Sequence, residues 1–170
     1  MKKCILVILS VAILLSLAGC GGAKNASPED LIQNFLTAVK EKDYEAIWNM
    51  VPEEVQDYAV KEGIIQDKAD GLRFIAFAVN DYYWLEDLDL PSRSSFSFRV
   101  LENHAHEEDV EEIREWLNEY GIKLSVNDCV FMRIEVTADG RSEETWMFLV
   151  KSGSEWYMLS VVGDDEIFEY

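Results

Sequence analysis

The chain has 170 residues, of which 49% are apolar and 12% aromatic, and its net charge at pH 7 is −18. This length suits one domain with its own hydrophobic core. The charge argues against nucleic-acid binding, which needs clustered lysine and arginine side chains. It also disfavours docking on anionic lipid headgroups through charge.

Residues 1–19 have the composition of a secretory leader. Lys2 and Lys3 precede an apolar run of roughly 14 residues, shorter than the ~20 residues of a membrane-spanning helix. The run ends at a short motif in which small residues precede a cysteine: Leu17, Ala18, Gly19 and Cys20. Removal of residues 1–19, with two lysines and no acid, would change the net charge from −18 to −20.

This motif resembles the lipobox of bacterial lipoproteins, in which the cysteine becomes the lipid-modified first residue of the mature chain. The resemblance implies that Leu17, Ala18 and Gly19 are recognised during processing and that Cys20 carries the lipid. We therefore expect a signal peptide over 1–19, Cys20 with a flexible tether over 20–27, and one domain over 28–170. The implied location is the outer face of the bacterial cytoplasmic membrane, held there by the lipid anchor.

The first part of the domain is predicted to be helical. Ser27 precedes a proline and indicates a helix start, and apolar residues at helical spacing continue to about residue 42. Asp43 can cap a second helix, and Pro52 separates it from a short third one. A fourth helix is predicted over about 66–86, where Gly71 weakens the prediction for its first turn.

The second part of the domain is predicted to be mainly β-structure. Alternation of apolar and polar residues from Phe96 predicts a strand, and an acidic helix over about 107–120 follows it. In that helix Val110, Ile113, Leu117 and Tyr120 share one side. A meander of three more strands follows, with a hairpin at Asp139-Gly140. This order predicts an α+β fold, in which N-terminal helices pack on one face of a curved antiparallel sheet of about four strands. The acidic helix is inserted between the first and second strands.

Three segments resemble a known family. Residues 27–35 (SPEDLIQNF) and 40–48 (KEKDYEAIW), with the final hairpin at 150–159 (VKSGSEWYML), resemble Gram-positive surface lipoproteins with a nuclear-transport-factor-two-like domain. The resemblance implies a cone-shaped cystatin-like roll outside the cytoplasm. It implies no particular function, because this roll carries enzymes, adaptors and surface modules.

Aromatic side chains are the main candidates for a ligand site. An apolar pocket in the mouth of the predicted cone could be lined by six of them, although each also falls at a spacing typical of ordinary core: Trp48, Phe96, Phe98, Trp146, Phe148 and Trp156.

Metal and nucleophile candidates are weaker. His104 and His106, followed by acids, could begin a metal site, but the sequence favours a solvated strand-to-helix junction, so no metal site is predicted. The acids of the 107–119 helix lack a calcium-loop pattern and are expected on a solvated face. Cys129 is the one cysteine left after processing and lipidation, so no disulfide is expected, and we predict that it packs as a small apolar residue.

These features predict a lipid-anchored extracytoplasmic binding module without catalytic activity or cofactor, whose partner is a protein or a small apolar ligand. A small hydrolase or isomerase with its site inside the cone, and a structural component of an envelope complex, remain alternatives.

Overall fold

A computed structural model describes residues 25–81, 88–105 and 107–163 of the chain. The predicted signal peptide and lipobox lie outside these residues, as does the metal candidate His106. In chain order the elements are four helices, a 3-10 turn, a strand, a fifth helix and three strands: α1 (Pro28–Glu41), α2 (Tyr44–Asn49), α3 (Glu53–Lys61), α4 (Lys68–Asp81), η1 (Leu90–Ser92), β1 (Phe96–His104), α5 (Glu107–Glu119), β2 (Val126–Ala138), β3 (Arg141–Ser152) and β4 (Glu155–Gly163).

Local sequence explains where the first two helices begin and end. The Ser27 side chain accepts a hydrogen bond from the backbone N–H of Asp30 at 3.1 Å, which caps α1 as predicted. Lys42 ends α1 in the left-handed conformation, with φ of 57°. Asp43 then caps α2 by accepting from the backbone N–H of Ala46 at 2.9 Å. The chain therefore turns sharply between two helices within two residues.

The strands form one antiparallel sheet in the order β1-β2-β3-β4, which confirms the predicted α+β class and the meander. Asp139 and Gly140 have φ of 49° and 82° and form the tight β2–β3 turn. Helix α5 lies between β1 and β2 in the chain, as predicted. The described α+β architecture does not by itself establish a cystatin-like roll.

The two faces of the sheet have different partners. On the inner face, alternate residues of β2 such as Met132 and Ile134 pack with α1, α2 and α4 in the main core. On the outer face, Cys129 and Val150 pack against Ile113 and Leu117 of α5 in a second core. The N-terminal helices pack on one face, as predicted, and the apolar stripe of the inserted helix α5 covers the other face.

The β4 edge of the sheet is covered by backbone from the N-terminal part of the domain. The Trp156 N–H donates to the Asn25 carbonyl at 2.9 Å, and the Met158 N–H donates to the Met50 carbonyl at 2.8 Å. These bonds satisfy edge donors that could otherwise pair with another chain. Asn25, within the predicted tether, therefore lies against the domain.

Candidate functional site

The six aromatic residues predicted to line a pocket do not come together. Trp48 and Trp156 are 9% and 6% exposed within the main core, and Phe96 and Phe98 pack against the same core. Trp146 and Phe148 belong to the opposite, outer face, because successive residues of β3 alternate between the two faces. Four of the six therefore serve the inner core, and two serve the outer face.

The outer face carries an ion-paired cluster around Arg133. Its guanidinium contacts the Glu102 carboxylate and lies 3.5 Å from Glu144 Oε2. The same group sits 5.7 Å from the centre of the Trp146 ring, and its Nε is buried without an acceptor in the described part of the chain. His104 stacks on Trp146 at 6.0 Å and lies 3.1 Å from Glu102 Oε2. Both carboxylates are therefore engaged by a cation that packs on an aromatic ring.

The described metal candidate, His104, and the nucleophile candidate, Cys129, occupy ordinary structural positions. Within residues 25–81, 88–105 and 107–163, no three His, Cys, Asp or Glu side chains are grouped closely enough to hold a metal ion. Cys129 is buried in the second core. Burial, with smaller effects from Asp109 and Asp128, raises the pKa of its thiol to about 11. The thiol is therefore protonated at neutral pH, whereas a nucleophilic cysteine is a thiolate.

A cleft of about 500 Å³ lies beside α3. We call it the α3 cleft, and its walls are mostly polar: Trp48, Asn49, Val51, Glu53, Glu54, Gln56, Lys68, Leu124, Ser152 and Tyr157. Lys68 is held by Glu45 at 2.6 Å, so one wall is an ion pair. Burial, with the neighbouring Glu155, raises the pKa of the Tyr157 phenol. That phenol is therefore neutral at physiological pH and can only exchange hydrogen bonds.

A second surface lies where α5 meets α3, and we call its three rings, Tyr58, Trp116 and Tyr120, the α5 aromatic surface. The Trp116 and Tyr120 rings are 5.2 Å apart, and Tyr120 meets Tyr58 edge-on at 5.8 Å. Trp116 and Tyr120 are 49% and 47% exposed, unlike the buried stripe of α5. The prediction that Tyr120 shares the buried side of this helix is therefore wrong.

The sequence pattern does not predict the α5 aromatic surface. Tyr120 comes directly after the last residue of α5, where the chain turns at Gly121, so its ring leaves the buried stripe. Tyr58 belongs to α3, 62 positions earlier in the chain, and only tertiary packing brings it to Tyr120. The one signal in the sequence was Trp116, which falls outside the apolar stripe of Ile113 and Leu117.

Among the described residues no helix is long and apolar enough to cross a membrane.

In comparisons with known proteins, no family model, curated protein or solved structure matches the chain.

Proposed function

We propose that this protein is a non-catalytic binding module, anchored by a lipid on Cys20 to the outer face of the bacterial cytoplasmic membrane. The anchoring part is supported by the sequence Leu17-Ala18-Gly19-Cys20 behind a short apolar run. The family part, a nuclear-transport-factor-two-like roll, is compatible with N-terminal helices on a four-stranded antiparallel sheet.

The observation that carries the binding part is the α5 aromatic surface. Two of its rings, Trp116 and Tyr120, are about half exposed while the described tryptophans of the sheet and α2 are buried. Large aromatic rings contribute more to binding energy at interfaces than most side chains, and exposing them to water is unfavourable. An exposed pair of rings that contact each other therefore favours recognition of a partner.

Binding is favoured over catalysis by the state of the reactive groups. The Cys129 thiol is buried and protonated, and Arg133 occupies the carboxylates beside His104. A small-molecule site is the second candidate, because the α3 cleft falls within the ~300–1,000 Å³ range of ligand pockets. Its polar walls favour a polar ligand over the apolar one expected from sequence.

The anchoring proposal is tested by labelling cells with a radioactive fatty acid. The wild-type chain should incorporate label, have the size of a chain beginning at residue 20, and partition into detergent. Cys20→Ser should lose all three properties because it removes the acceptor sulfur. Cys4→Ser, a matched control inside the predicted leader, should keep them. Label and mature size retained in Cys20→Ser would refute the anchor.

A further inference from the structure

We propose that the α5 aromatic surface docks a lysine- and arginine-rich segment of another protein. This inference rests on the proposed function as a binding module and assigns it a surface and a partner chemistry. It follows from the exposure of the rings, the acids beside Trp116 on α5, and the helix spacing that brings the two together.

The rings form one continuous platform. Trp116 contacts Tyr120 at 5.2 Å, and Tyr120 contacts Tyr58 of α3 at 5.8 Å. Beside Tyr58 lies a depression of about 190 Å³, whose charged wall residues are the acids Glu54 and Asp57 and the bases Lys61 and Lys123. The depression is therefore balanced in charge, and the acids that can act on a partner at the platform are those of α5.

Helix α5 is strongly acidic. The helix contains seven acids and a single base, Arg114. That arginine is turned to the sheet, where its Nε and Nη2 donate to the Val126 carbonyl at 2.9 and 2.6 Å, and its Nη1 pairs with Glu111. Glu112 and Glu119 are exposed and form no ion pair within the described residues. Within the described residues, these two acids of α5 are therefore not balanced by a neighbouring cation.

Helix spacing places these free acids around the exposed tryptophan. Glu112 and Glu119 lie four residues before and three residues after Trp116, so all three share one face. The last turn of α5 has no basic residue, although the carbonyl end of a helix favours cations. A partner cation on this face would relieve carboxylate repulsion and interact favourably with the helix end.

The same features identify the partner. Arginine and lysine bind both to carboxylates and over the faces of tryptophan and tyrosine within about 6 Å. A second copy of this chain would bring the same acids to the surface and be repelled. An anionic membrane would be repelled for the same reason. A basic polypeptide segment satisfies both the rings and the acids.

The test uses the full-length chain in non-ionic detergent and a fluorescent octa-arginine peptide, with binding measured by anisotropy. Glu112→Gln/Glu119→Gln should weaken binding about fivefold, and Trp116→Leu should weaken it about tenfold. Glu29→Gln/Glu41→Gln removes two exposed acids from α1 and changes the net charge equally, so it serves as the control. It should change affinity by less than about twofold.

Equal weakening in the two double variants would overturn the proposal, because binding would then follow net charge alone. Unchanged affinity in Trp116→Leu would also overturn it. Sedimentation showing a dimer that Trp116→Leu dissociates would overturn it in favour of self-association. Circular dichroism of each variant should match the wild type, because all substituted side chains are exposed. Anchoring is scored separately by fatty-acid labelling, so either proposal can fail alone.

Discussion

Gly71 lies in the first turn of α4 directly against the Trp48 ring, and replacing it with alanine should destabilise the protein. An added Cβ would lie 2.1 Å from Trp48 Cζ3, 2.7 Å from Cη2 and 2.9 Å from Cε3. Carbon atoms in contact prefer about 3.5–4.0 Å, so α4 and α2 would have to separate by more than 1 Å. Overpacking of this kind costs about 3 kcal/mol at the upper end of its usual range. The better helix propensity of alanine returns about 1 kcal/mol. The net expected loss is therefore about 2 kcal/mol.

Urea unfolding followed by far-ultraviolet circular dichroism measures this loss as a lower midpoint at unchanged slope. Trp48→Phe provides a matched test. The three close atoms belong to the six-membered ring of the indole, and the shorter phenylalanine side chain does not reach the same position. The loss of unfolding free energy in the double variant Gly71→Ala/Trp48→Phe should therefore be smaller than the sum of the two single losses by about 1 kcal/mol or more. A Gly71→Ala protein as stable as the wild type, or additive effects in the double variant, would refute the close contact.

Two further predictions concern the outer face. Arg133→Met should lower the free energy of unfolding by about 2 kcal/mol, because it leaves two carboxylates without their cation. Arg99→Met should lower it by less than about 1 kcal/mol, because that arginine side chain is 67% exposed. Equal losses of unfolding free energy in chemical denaturation would contradict this ranking. The pKa of the native Cys129 thiol is about 11, against an ordinary value of 9.0. As the pH rises, the thiol of the unfolded chain therefore loses its proton at a lower pH than the thiol of the native protein. The free energy of unfolding should consequently fall as the pH rises above about 9. In Cys129→Ala that part of the decline should be absent, and an identical pH dependence in both proteins would show that the thiol does not contribute.

The order of elements could be predicted because it depends on local patterns. Helical spacing, the caps at Ser27 and Asp43, and the Asp139-Gly140 turn each leave a direct signal in neighbouring residues. The role of Gly71, by contrast, could not be predicted from local patterns. In the sequence it only weakens a helix, and its role against the Trp48 ring arises from packing between two helices.

The candidate site was harder to predict than the fold. The predicted pocket combined Trp146 and Phe148 with Trp48 because all three are aromatic. The alternation of side chains along β3 places Trp146 and Phe148 on the other face of the sheet. The α5 aromatic surface depends on contact between residues 58 and 120, which no local pattern encodes. Side-chain chemistry can be read from a sequence, but the meeting of distant side chains requires the tertiary structure.

The hydrogen bonds between Asn25 and Trp156 fix Asn25 against the β4 edge of the sheet. Only five peptide steps separate Asn25 from Cys20, a contour of at most about 18 Å. A domain of this size is about 30–40 Å across, so an acylated Cys20 would keep it almost touching the bilayer. The domain would then bind its partners in the thin layer next to the membrane. A ligand further out in the envelope would have to diffuse to the membrane surface to reach the domain.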